Sequence, residues 1–193
     1  MYSLVESGTI TKYFNHPKGF TLNDLQYPAD IFMKWSVEEK TAIGIHEVVF
    51  DDSNKKDEQW YINTDQTFAF ANDTVTASYG TATPKAHADV TETIDGVEYT
   101  TPGLKTNLII DLKVNVANEL AKTDWYITRN SEKSTAIPSS ISTHRDLVRS
   151  RQASIEAQIT GAADTSALET LHTYTITDGV QSRPLGELPV LES

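Results

Sequence analysis

Histidines, neighbouring carboxylates and arginines are the side chains through which this 193-residue chain could do chemistry, and their spacing decides which chemistry is open. The five histidines stand at positions 16, 46, 87, 144 and 172, with no pair at metal-ligand spacing. His46 and Glu47 adjoin in a predicted strand, where successive side chains point to opposite faces, so a joint ligand role is not expected. Structural or surface histidines are the expectation. Asp51-Asp52-Ser53-Asn54 offers oxygen donors for calcium. It lacks the alternating ligands, central glycine and terminal glutamate of a calcium loop, and with Lys55, Lys56 and Asp57 it reads as a solvated loop. Glu38-Glu39 suits the positive end of a helix better than acid–base work. There is no phosphate-binding glycine loop or serine elbow, and no cysteine to supply a thiolate. We expect no catalytic, cofactor-binding or metal-binding residues, and no enzyme.

Two groupings remain. Trp60, Tyr61, Phe68, Phe70 and Tyr79 could make a carbohydrate platform, but half-buried strands favour aromatics for packing, and core or subunit interface is expected. Arg129, Glu132, Arg145 and Arg149 could bind an anion. The expectation is internal pairing: Arg129 with Glu132 at helical spacing, and Arg145 and Arg149 with carboxylates across a helix pair.

The elements that position these residues fall into two halves. Residues 1–14 read as a hairpin around Glu6-Ser7-Gly8, and Asn15 to Pro28 as irregular chain punctuated by Pro17, Gly19 and Pro28. Ser36 and Glu39 form a capping box for a short helix that Gly44 ends. Ile45 to Phe50 predicts a strand, as do the aromatic pieces Trp60–Ile62 and Thr67–Phe70 and the stretch from Thr74 to Thr83. Val90–Ile94 and Val97–Thr100 flank Asp95-Gly96, the dipeptide of tight hairpin turns.

After Thr101 the period changes. With Thr101 as cap and Pro102 in the first turn, Leu104, Leu108, Leu112, Val116 and Leu120 make one helical stripe, widened by Ile109 and Ala117. A second helix, capped at Thr123 or Asp124, has Trp125, Tyr126 and Ile127 as its apolar side. A third starts at Pro138 with Ile141, Val148, Ile155 and Ile159 on one face, and Arg145, Arg149 and Gln152 at its margin. A short helix capped by Asp164 or Thr165, a hairpin turning at Asp178-Gly179 and an extended tail complete the chain. The fold class is therefore α+β: a β-hairpin-rich N-terminal half with a short helix (1–100), an antiparallel helical unit (101–172), and a hairpin with tail (173–193).

The net charge of −11 argues against nucleic acid or an anionic membrane as partner, since both require a positive field. Residues 1–100 hold 7 Lys/Arg against 16 Asp/Glu, and the rest 9 against 11, so the acidity lies in the first half. No apolar run reaches the length of a membrane span, and no signal peptide is expected.

Leu120, Thr123-Asp124-Trp125, Arg129, Glu132, Ala136-Ile137-Pro138 and Arg145-Asp146-Leu147-Val148-Arg149 form an ordered pattern. It resembles the C-terminal region of tail and tail-fibre-associated proteins of double-stranded DNA bacteriophages, with an LxxTDW segment before a returning helix. His144 stands where that family usually has tyrosine. The opening hairpin, with Thr11-Lys12-Tyr13, and Gly103-Leu104-Lys105 fit the same family. The resemblance implies a structural part of the virion tail, near the baseplate or fibre attachment, present in several copies and assembled in the host cytoplasm. Its partners would be other tail or fibre subunits. An assembly chaperone absent from the particle and a carbohydrate-binding attachment module are the alternatives. In this reading Trp125 anchors the corner in the core, Pro138 sets the returning helix, and Arg145 and Arg149 clamp preceding carboxylates.

Overall fold

Ser7 and Gly8 both take positive φ (51° and 79°), the turn that matches strand twist, and join β1 (Tyr2–Glu6) to β2 (Thr9–Phe14) as an antiparallel hairpin. The computed structural model describes residues 1–191. The stretch from Asn15 to Pro28 is not irregular throughout. It contains a second hairpin, β3 (Phe20–Leu22) with β4 (Leu25–Tyr27), turned by Asn23 and Asp24 at φ 49° and 61°. Asn and Asp reach the left-handed region without a glycine, so the usual sequence signal is missing.

Two short helices follow, α1 (Ile31–Lys34) and α2 (Val37–Ala42). Ser36 and Glu39 form the expected capping box: the Glu39 amide donates to Ser36 Oγ at 3.2 Å, and the Ser36 amide donates to the Glu39 carboxylate at 2.8 Å. Gly44 then reverses the chain at φ 80°. A Cβ there would lie 2.3 Å from the carbonyl oxygen of Val5, whose own amide donates to the Gly44 carbonyl at 2.8 Å. Only glycine fits that approach.

β5 (Ile45–Asp51), β6 (Tyr61–Ile62), β7 (Thr67–Ala71) and β8 (Thr74–Ser78) complete the first unit, which ends at Thr83, the first residue of the short β9 (Thr83–Pro84). The main sheet runs β2-β1-β5-β8-β7, antiparallel except for the parallel β5–β8 pair. Leu4 and Val5 point to opposite faces, which divides the core. One layer gathers Leu4, Phe14, Phe20, Ile31, Phe32 and Ile45. The other holds Val5, Val48, Val75 and Ala77 under Phe68 and Phe70. Tyr13 on edge strand β2 meets Phe68 on edge strand β7 at 4.8 Å between rings, so the sheet curls toward closure.

The second unit starts at Pro84. The hairpin β10 (Val90–Ile94) and β11 (Val97–Thr101) therefore belongs with the helices rather than with the first sheet, and it turns at Asp95-Gly96 as expected. Thr101 ends β11 and does not cap the next helix. No side chain caps α3: the Leu104 and Lys105 amides donate to the carbonyls of Ala86 (2.9 Å) and His87 (3.0 Å), while Asp89 Oδ1 accepts from the Gly103 amide at 2.8 Å and from the Thr106 hydroxyl at 2.7 Å. The helices are α3 (Leu104–Ala121), α4 (Asp124–Lys133), α5 (Ser139–Gly161) and α6 (Thr165–His172). Asp164 caps α6 through the Ala167 amide.

Residue numbers rise along α3 as they fall along α5: Lys105 Nζ donates to the Thr160 carbonyl, Lys113 meets Glu156 and Glu119 meets His144. The two long helices are thus antiparallel. Leu112 and Val116 from α3 are buried, as are Ile141, Val148, Ile155 and Ile159 from α5. Ala117, expected to widen the α3 stripe, is exposed. The final hairpin pairs β12 (Thr175–Thr177) with β13 (Val180–Ser182) about Asp178-Gly179. The tail beyond it is held by Arg151, which donates to the carbonyls of Leu185 (2.9 Å) and Glu187 (3.1 Å), while Leu185 is buried. With 36% helix and 28% strand divided this way, the fold is α+β.

Candidate interaction site at the Thr123 corner

The last carbonyls of a helix have no amide of their own helix to bond, so the end of α3 needs donors from elsewhere. Arg145, projecting from the returning α5, supplies them. Its Nη1 lies 2.7 Å from the Leu120 carbonyl oxygen, 2.7 Å from Thr123 Oγ1 and 2.8 Å from Asp124 Oδ1. Thr123 is fully buried, and its hydroxyl donates to the Leu120 carbonyl at 2.9 Å. That hydroxyl is therefore turned back on α3, and the expected Thr123 cap of α4 is not formed. Positive charge at the C-terminal end of α3 also suits its dipole. A second pair flanks this one: His144 Nε2 lies 3.2 Å from Glu119 Oε1, while Lys122 bonds the other oxygen of Glu119.

The arginine clamp is thus found for Arg145, which is 8% exposed and central rather than marginal. It is not found for Arg149, which is exposed and meets Asp146 of its own helix at 3.5 Å. Arg129 and Glu132 are both exposed on α4, and among the described residues no salt bridge joins them. Pro138 occupies the N-cap position of α5, with φ −53° and ψ 137°, as the returning-helix reading requires.

Trp125 corrects the sequence reading most sharply. It is 63% exposed and anchors no core. The buried residue of the corner is Thr123, and α4 buries none of its ten residues. Ile127 is also exposed, but two positions on it lies on the opposite flank of the helix from Trp125, with Tyr126 half-buried between them, so the expected single apolar side of α4 is not formed. In the first unit Trp60 is 3% exposed and Tyr61 half-buried. Phe68 and Phe70 pack against the core, and Tyr79 is half-buried.

Electrostatics reinforce the corner. The hydrogen bond from Lys122 holds the Glu119 carboxyl below its usual range, against the opposing effect of burial, with Lys122 and His144 charges helping. A carboxylate whose folded pKa is depressed stabilises the fold above its unfolded value of 4.5 and loses that contribution as pH falls through the folded value. Thermal melts should therefore show the second unit losing stability as pH drops below about 4.5. Glu119→Gln should flatten that acid limb; an unchanged limb would remove Glu119 from the account.

Among the described residues, no group of three or more His, Asp or Glu side chains is placed to hold a metal ion, and no helix is long and apolar enough to cross a membrane. Asp51 instead closes a local turn, accepting from the Ser53 amide at 3.0 Å. Comparison with models of protein families, with curated proteins and with solved structures finds no match to this chain.

Proposed function

We propose that the chain is a structural component of a bacteriophage tail, in the baseplate or fibre-attachment region, working through protein–protein contacts. One observation carries this reading. Four of the residues that bear the resemblance to tail-associated proteins form one constellation: Leu120, Thr123 and Asp124 meet on Arg145, and Trp125 is left outside it. Thr123, Asp124 and Arg145 are used in building that corner, while Arg129, Glu132 and Arg149 stay exposed. The tryptophan that such a corner would be expected to bury is offered to solvent, and exposed tryptophans on a fixed support are the side chains from which binding hot spots are made. The site acts by contact. Its partners on this proposal are other tail or fibre subunits, in several copies per particle, assembled in the host cytoplasm; the acidic surface disfavours nucleic acid and anionic membrane.

Trp125→Ser tests the corner. Because the side chain is exposed, the melting temperature should stay within about 2 °C of the wild type. Incorporation into particles made by the encoding phage should fall at least ~10-fold, as loss of an interface hot spot requires. Wild-type incorporation at unchanged stability would show that Trp125 makes no contact.

A further inference from the structure

The β10–β11 hairpin is a two-stranded sheet by itself, and all ten of its strand residues are exposed. Isolated two-stranded hairpins are marginal in water, so an arm of this kind needs either a firm root or a cover. The root is present. Beside the Asp89 bonds to Gly103 and Thr106, the Leu104 amide donates to the Ala86 carbonyl at 2.9 Å and the Lys105 amide to the His87 carbonyl at 3.0 Å. Both strands thus leave from the start of α3. Among the described residues nothing covers the arm, since all ten strand positions stay exposed.

The register sorts the residues of the arm. Directly opposed residues share a face, so Val90, Glu92, Ile94, Val97, Tyr99 and Thr101 lie on one side. Thr91, Thr93, Glu98 and Thr100 lie on the other, where the Thr91 and Thr100 hydroxyls meet at 2.9 Å. Four large apolar side chains are therefore presented together in water: Val90, Ile94, Val97 and Tyr99. Glu92 stands between Val90 and Ile94 on β10. From residue 86 to residue 104 there is no Lys or Arg, while Asp89, Glu92, Asp95 and Glu98 are acidic.

We propose that the outer edge of β10 is a docking edge for an extended segment of another protein, added as a third strand. That segment carries a Lys or Arg opposite Glu92 and apolar residues two positions to either side, opposite Val90 and Ile94. Strand addition supplies main-chain hydrogen bonds for affinity, and the alternating side chains supply selectivity. Charge decides between occupants. Two copies of β10 paired antiparallel over their full length would set Glu92 against Glu92, which is unfavourable, whereas a basic residue there is favourable. The inference is independent of any tail assignment.

The test uses the full chain and short end-capped peptides, with amide signals followed by NMR. The basic peptide has valine, threonine, lysine, threonine and valine in that order; the matched acidic peptide has glutamate for lysine. The basic peptide should shift amides of β10 and bind about threefold tighter than the acidic one, the range of a cross-strand charge pair. Glu92→Lys, on an exposed position that does not threaten folding, should reverse the preference. Three results would overturn the proposal: signals elsewhere than the hairpin, a preference indifferent to Glu92→Lys, or β10 signals that move with protein concentration alone. The last would assign the edge to a second copy of the chain.

Discussion

Replacing Arg145 with alanine should destabilise the second unit by about 1.5–3 kcal/mol, the worth of hydrogen bonds given by a buried charged group. The guanidinium is the donor to buried Thr123 Oγ1; the Leu120 carbonyl keeps the Thr123 amide and hydroxyl when the arginine is gone, so the Thr123 oxygen is the acceptor left unfilled. Such an orphaned group costs about 1–3 kcal/mol. Asp124 contributes less, because its side chain is 60% exposed and solvent screens the pair. Asp124→Asn should therefore cost under about 1 kcal/mol. Arg145→Lys keeps the charge without the planar fork and should recover only part of the loss. Chemical denaturation of the three variants checks the order. An Arg145→Ala loss below about 1 kcal/mol would mean that the corner is held by packing alone.

Phe14→Ala should cost more in the first unit, ~3–5 kcal/mol. Phe14 is fully buried and lies at the centre of an aromatic group, 5.0 Å from the Phe20 ring and 5.1 Å from the Phe32 ring, both in tilted contact. Phe32 also carries Tyr2, at 5.0 Å, so the ring of Phe14 links β1, β2, β3 and α1 into one layer. Removing it leaves a cavity that rigid β-strands cannot collapse to fill. Phe14→Leu retains most of the volume and should lose roughly half as much. Denaturation read by tryptophan fluorescence is suitable, since Trp35 packs against this layer. Equal stabilities for Phe14→Ala and the wild type would place the core of the unit elsewhere.

What the sequence disclosed and what it hid follow from the range of the interactions. The Ser36–Glu39 capping box, the Asp95-Gly96 turn and the α5 stripe from Ile141 to Ile159 depend on residues within a few positions of one another, and all three are as expected. The first amides of α3 are met by the distant Ala86 and His87 carbonyls, with Asp89 holding the Gly103 amide, and a scan for a neighbouring Ser, Thr or Asp settles on Thr101 instead. The Asn23-Asp24 and Asn72-Asp73 turns were obscured for a different reason, since Asn and Asp occupy positive φ without announcing it as glycine does.

Trp125 shows the limit most clearly. Residue type says that a tryptophan beside a helix cap is worth burying, yet on a ten-residue helix periodicity cannot tell whether anything lies over that face. The buried partner proved to be Arg145, a residue whose charge argued for the surface. Its expected pairing with a carboxylate across the helices holds at Asp124; what spacing did not disclose is that the Leu120 carbonyl and the buried Thr123 hydroxyl share the same guanidinium.

The most direct test of the proposed role is quantitative mass spectrometry on purified particles of the encoding phage, set against the lysate from which they came. A structural tail component should be present in the particles at a fixed stoichiometry of several copies, unchanged by further purification. Abundance in the lysate with absence from the particles would contradict that role and leave the assembly-chaperone reading in its place.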